Sequence, residues 1–153
     1  MTLSAEDSVA ILQLVARADA CATARDADGY TALFTEDAVM DGAMGVAQGR
    51  DALREAVGAV WAGEPPGTLH LTLNAVINDA QPELAVESVM LMLTSASPPA
   101  VLGSARVVQT VRRTPEGWRI SRRSIAAPSA PRADRSSADD AYVSLRTRRG
   151  PAK

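Results

Sequence analysis

The chain contains one histidine, His70. An imidazole titrates near neutral pH, so it can accept and donate a proton within one turnover. His70 lies in a stretch, residues 68–79, whose side chains alternate in character. A strand period puts Leu69, Leu71, Leu73, Ala75 and Ile77 on one face and His70, Thr72, Asn74, Val76 and Asn78 on the other. If the His70 face looks inward, the ring meets a pocket. Otherwise it meets water or is satisfied in the core. Two carboxylates are candidates to orient the ring or act as a second base. Asp19 interrupts an apolar helix face, with Leu12, Val15, Ala16 and Ala22 around it at helical spacing. A buried carboxylate needs a partner, and His70, Arg106 or Arg122 could supply one; at the edge of the face it reaches water instead. Asp41 ends a short apolar run just before a glycine-rich stretch, where it is either a second base or a loop cap.

Other residues suit ligand binding. The thioethers of Met40, Met90 and Met92 adapt to irregular apolar guests, although methionine also fills cores. Trp61 falls on the apolar face of a helix. Asn74 could hydrogen-bond a ligand oxygen or pair with backbone. Gln109 sits in a valine-rich run, and its amide needs a partner if buried. One cysteine, Cys21, excludes an internal disulfide and a multi-cysteine metal site. The chain has no phosphate-binding loop, dinucleotide fingerprint or zinc spacing, so no metal or cofactor is expected.

Elements must hold these residues. Ser4 with Glu6 and Asp7 marks a helix start, and residues 5–24 run without Gly or Pro. A short helix is expected over about 27–35, a strand over 38–41, a loop from Asp41 to Gly49 and a third helix over about 50–62. Glu64-Pro65-Pro66-Gly67 stops that helix. The period then changes. Strands are expected over 68–79, 83–95, 101–113 and 117–126, with turns at 79–82, at Ser97-Pro98-Pro99 and at Thr114-Pro115-Glu116-Gly117. Helices first and an antiparallel meander afterwards imply an α+β fold with the helices on one face of the sheet.

A length of 153 residues fits one domain. Net charge is −2, which offers no reason to expect nucleic acid or an anionic membrane as partner. No apolar run is long enough to span a bilayer, and the N-terminus lacks the order of a signal peptide. A cytoplasmic location is the expectation. Charge is uneven, however: −5 over residues 1–125 and +3 over 126–153. The basic part coincides with a Pro/Ala/Ser/Arg-rich composition that buries too little apolar surface to offset its ordering entropy. The chain therefore divides into a domain, 1–126, and a tail, 127–153, read as flexible or lying along a partner.

Four pieces in order resemble the SnoaL-like family of the nuclear transport factor 2-like superfamily. They are Arg17 and Asp26 with Leu33-Phe34-Thr35-Glu36-Asp37-Ala38-Val39, then Gly49-Arg50-Asp51-Ala52-Leu53, then His70-Leu71-Thr72-Leu73-Asn74, then Gly117-Trp118-Arg119-Ile120-Ser121-Arg122-Arg123. The resemblance implies a cone-shaped, curved, mostly antiparallel sheet wrapped around the N-terminal helices, a cystatin-like α+β roll. It implies a pocket for a small hydrophobic oxygenated molecule, and a homodimer through the outer sheet face. It also implies cofactor-independent acid/base chemistry: dehydration, isomerisation, cyclisation or epoxide opening. The matching histidine in dehydratase-like members pairs with a first-helix aspartate, and here that position is Thr23. The aromatic residue often found after the helix arginine is here Ala18. Asp41 falls one residue from the general base of ketosteroid isomerase-like members, which aligns with Gly42. The alternative is a non-catalytic ligand-binding or dimerisation module of the same fold.

Overall fold

Residues 3–79 and 83–127 are described by the structure, a computed structural model. The tail beyond 127 and the turn at 80–82 lie outside the described residues. Helix α1 spans Ala5–Ala24 and starts where the Ser4 hydroxyl accepts from the Asp7 N–H. It buries Ile11, Leu14, Val15, Ala18, Asp19 and Ala22, one stripe at three- and four-residue spacing. Arg25 ends it in the left-handed conformation, φ 57°. The Asp26 carboxylate then accepts from Gly29 N–H and opens α2, Ala27–Ala32.

The next segment differs from its expected form. The second helix stops at Ala32, and strand β1 runs over Phe34–Gly42. Phe34, Ala38 and Met40 point into the core from it. The glycine-rich stretch expected to be a loop is half of a hairpin, because β2, Gly45–Gln48, pairs antiparallel with β1. Gly45 sits at φ 90°, which a side chain rarely adopts, so the tight return uses the residue that allows it. Helix α3, Arg50–Ala62, buries Leu53, Val57 and Trp61. Arg50 ties its start to β1 by donating from Nε and Nη2 to the Phe34 carbonyl at 3.0 and 2.6 Å.

Four long strands follow: β3 Leu69–Asn78, β4 Leu84–Leu93, β5 Val101–Thr114 and β6 Gly117–Ala126. The sheet order is β2-β1-β6-β5-β4-β3, with β1 parallel to β6 and every other pair antiparallel. This is an α+β fold in which a curved, unclosed, mostly antiparallel sheet carries α1 against β3, β4 and β6. The core gathers Ile11, Val15, Phe34, Leu53, Val86 and Ile120 between helices and sheet, all fully buried. Each such side chain contributes about 1.5–3 kcal/mol. Far from the core, Asp7 accepts from Trp118 Nε1 and Arg113 Nη1, both at 2.9 Å, and fastens the first turn of α1 to the β5–β6 hairpin.

Two bulges reset which side chains face inward. Between Leu73 and Val76 the β3–β4 register slips by one residue, and Asn74 takes φ 52°. Asparagine tolerates this conformation better than most residues. Inward His70 and Thr72 therefore give way to inward Ala75 and Ile77, while Val76 is 63% exposed. The expected unbroken alternation along 69–78 is thus broken in its middle. A second slip, between Thr110 and Val111, leaves Ser121 as the extra residue of β6. Ile120 and Arg123 both face inward in consequence, and Arg122 faces out.

Candidate functional site

His70 is placed by two unrelated pieces of chain. Its backbone N–H donates to Thr23 Oγ1 at 2.8 Å, which locks the strand to the end of α1. Its ring Nε2 lies 3.2 Å from Glu64 Oε1, in the loop after α3. Arg25 Nη1 in turn donates to Glu64 Oε2 at 2.6 Å and reaches the Ala22 carbonyl at 3.3 Å. The left-handed turn at Arg25 aims that guanidinium back over the helix end, where a cation suits the exposed carbonyls. A carboxylate only accepts, so His70 Nε2 donates to Glu64 and the neutral ring leaves Nδ1 as its basic nitrogen. Nδ1 is buried and has no partner among the described residues. Arg25, Glu64 and His70 thus form a chain of cation, anion and imidazole, the arrangement that orients a ring for proton transfer.

His70 is one of the residues that line a cavity of about 570 Å³. Met40, Val57, Trp61, Met90 and Met92 supply much of its apolar surface, and Tyr30, Glu64, His70 and Arg123 its polar points. That size and mixture suit a small, mainly apolar molecule fixed by a few polar contacts. Tyr30 comes from α2, and its hydroxyl donates to Met40 Sδ at 3.7 Å. Its ring packs edge-on to Trp61 with centroids 5.5 Å apart. Burial pushes the Tyr30 phenol pKa up, although the nearby Arg123 opposes the change. It is therefore a neutral O–H donor at physiological pH.

A second buried group lies beside the cavity. Asp19, 3% exposed, does not meet His70. One carboxylate oxygen accepts from Arg123 Nη2 at 2.5 Å, and the other from Thr72 Oγ1 at 2.5 Å. Arg123 Nη1 donates to Gln109 Oε1 at 3.2 Å, and Nη2 also touches Met90 Sδ at 3.9 Å. The guanidinium lies 5.8 Å from the Tyr30 ring centroid. Burial by itself lowers the Arg123 pKa, but Tyr30 and Asp19 outweigh it and hold it above the ordinary value. Both oxygens of Asp19 are engaged, so it serves as counter-ion rather than as a base.

The remaining candidates scatter. Met40, Met90, Met92 and Trp61 line the cavity. Gln109 is fully buried and holds Arg123, without forming part of the cavity wall; its Nε2 has no partner among the described residues. Asp41 is half-buried near the end of β1, outside the cavity lining. Asn74 is exposed at the β3 bulge and borders a shallower groove of about 720 Å³. The Arg106–Glu87 ion pair, at 2.6 Å, spans that groove, so Arg106 is not the partner of Asp19; nor is Arg122, which faces out. Cys21 is half-buried, and burial followed by Asp26 raises its thiol pKa.

Residues that sequence reasoning missed are Arg25, Glu64 and Arg123. Glu64 reads as part of a helix stop, and nothing in its neighbours signals that it faces His70. Arg25 reads as a solvated helix end. Arg123 carried one usable signal, since a buried strand seldom holds two adjacent arginines with both in water. The bulge that chooses between them leaves no mark in composition.

Among the described residues no helix is long and apolar enough to cross a membrane. No functionally curated protein matches the chain. Solved structures do. A protein of unknown function with a cystatin-like fold from Nostoc punctiforme is 30% identical over 86% of this chain and 98% of its own, with a TM-score of 0.76. A nuclear transport factor 2-like protein from Novosphingobium aromaticivorans is 26% identical over 89% and 88%, with a TM-score of 0.68. Aln2 from a Streptomyces species, 22% identical over 93% and 97% with a TM-score of 0.69, shares the fold. The SnoaL-like domain family matches residues 3–124, nearly all of the described chain. The chain therefore belongs to the SnoaL-like family, on a nuclear transport factor 2-like, cystatin-like fold.

Proposed function

We propose that this protein is a cofactor-independent enzyme that moves a proton on a small hydrophobic oxygenated molecule. The observation that carries the reading is His70: its Nε2 is held by Glu64, its Nδ1 is buried without a partner among the described residues, and the residue lines the cavity. A buried unpaired nitrogen calls for a partner, and a guest in the cavity supplies it. His70 is the acid/base. Glu64, tied to Arg25, is a positioning residue that keeps the ring in one tautomer and balances its charge once it is protonated. Thr23 no longer offers a carboxylate to the ring; it holds the backbone of residue 70 instead. The enclosing thioethers and Trp61 keep water from competing for the proton.

A turnover screen tests this reading against the non-catalytic binding module. Hydroxy ketones, β,γ-unsaturated ketones and epoxides of one to three rings are incubated with the protein, with His70→Gln and with Glu64→Gln. One class turns over, His70→Gln loses about 10²–10⁴-fold, and Glu64→Gln loses less. Binding without His70-dependent turnover in any class leaves the module reading.

The same protein is proposed to be a homodimer. Leu69, Leu71, Leu73 and Val76 stand 36–63% exposed along β3, an edge strand, on the sheet face away from the cavity.

A further inference from the structure

Arg123 has a donor to spare. Its Nη1 and Nη2 are taken by Gln109 and Asp19, but its Nε is buried with no hydrogen-bond partner among the described residues, and the residue forms part of the cavity wall. A guanidinium at a protein surface leaves such a hydrogen to water. Enclosed, it is an unmet charged donor, and the site gains most from a guest that brings an acceptor.

The charges around it decide which acceptor. Among the described residues two charged side chains line the cavity, Glu64 and Arg123, and each already has its counter-ion, in Arg25 and Asp19. A carboxylate guest would find no free cation among the described residues and would bury an extra negative charge. A neutral carbonyl oxygen accepts from Nε–H without upsetting either pair. We infer that Arg123 is the specificity-determining residue of the cavity and that it selects neutral, apolar molecules carrying a carbonyl oxygen.

The position fits the acid/base reading, on which this inference rests for its catalytic meaning. Arg123 Nη2 touches Met90 on β4, while His70 on β3 pairs with Met92 of the same strand β4. Arg123 and Thr72 also share the carboxylate of Asp19, and Thr72 stands two residues from His70 on the same strand, a step of roughly 7 Å. A single small ring or short chain bridges that gap, with its carbonyl at Arg123 and its carbon–hydrogen bonds toward His70. Asp19 and Gln109 act through Arg123 and are positioning residues.

The probe pair is benzophenone and diphenylmethane, isosteres that differ by a carbonyl for a methylene and that cannot be turned over by proton abstraction beside the carbonyl. Diphenylacetate is the anionic comparison. Affinities are measured on the full chain by ligand-observed NMR, and the carbonyl is labelled with carbon-13. In the wild-type protein the carbonyl resonance moves downfield on binding, the Arg123 Nε–H proton shifts with the ketone and not with the hydrocarbon, and diphenylacetate binds weakest. Replacing the pair together, Asp19→Leu with Arg123→Met, lowers the ketone-to-hydrocarbon affinity ratio by at least about tenfold, the loss of one charged hydrogen bond. Arg106→Gln, an exposed position outside the cavity lining, leaves that ratio unchanged. The inference is overturned if the wild-type carbonyl resonance stays where apolar solvent puts it, if diphenylacetate binds best, or if the ratio survives the loss of Arg123. The wild-type spectra decide the matter even should the double variant fold poorly. Failure of the acid/base reading shows separately, as absence of His70-dependent turnover with the carbonyl preference intact.

Discussion

Replacing Asp19 by Ala removes the only carboxylate that the Arg123 guanidinium touches among the described residues. Arg123 is 2% exposed, so it cannot turn to water in place. Breaking a buried ion pair from one side costs about 3–5 kcal/mol, because the surviving charge is left unpaired. The Thr72 hydroxyl also loses its acceptor, but it is half-buried and rehydrates, adding roughly 1 kcal/mol at most. The expected loss is about 4 kcal/mol, a large share of the 5–15 kcal/mol typical of a domain. In urea, with a slope near 1–3 kcal/mol/M for a small protein, the midpoint falls by about 2 M. The double change Asp19→Leu with Arg123→Met recovers most of the loss, since an apolar pair of similar volume carries no desolvation penalty. Tryptophan fluorescence follows both transitions. A loss under about 1 kcal/mol for Asp19→Ala, or a double variant no more stable than the single one, would refute the claim that this pair is buried and mutually dependent.

Further outcomes are expected. The Trp118 hydrogen bond, then the Ser4 hydroxyl and Arg113, hold the Asp7 pKa below its usual value against a smaller opposing effect of desolvation. A depressed carboxylate stabilises the fold above its unfolded pKa, about 3.9, and that contribution disappears as pH falls through the folded value. Asp7→Asn therefore flattens the decline in urea midpoint between pH 5 and pH 2 as compared with wild type; an unchanged slope counts against the tie. Asn74→Gly is tolerated at φ 52°, whereas Asn74→Val costs about 1–3 kcal/mol and shows as a lower thermal midpoint. Leu71→Glu with Leu73→Glu, charges placed on the exposed outer face, yields a monomer in sedimentation velocity where the wild type sediments as a dimer, with the cavity side untouched.

Much of the architecture was legible before any coordinates. The apolar stripe of α1, the period change after Pro66 and the hairpin signal at Thr114–Gly117 are local patterns, and local patterns are read from local sequence. The β1–β2 hairpin was less so. Its strand pairs Val39 with Gln48, and a short edge strand with three nearby glycines carries little apolar period of its own. His70 stood out because its type is unique in the chain and its neighbours alternate.

The partners of that histidine were beyond sequence. Glu64 meets His70 because a left-handed residue at the end of α1 turns Arg25 toward the α3–β3 loop, and no period relates these three positions. Arg123 meets Asp19, 104 residues away, only because one extra residue at Ser121 reverses the strand's facing. Sequence alone determined the order and kind of the elements and singled out the imidazole, since backbone period and side-chain titration are local properties. Which charges the core pairs was decided by tertiary structure, because a one-residue bulge costs the sequence pattern almost nothing and yet exchanges the inside of a strand for the outside.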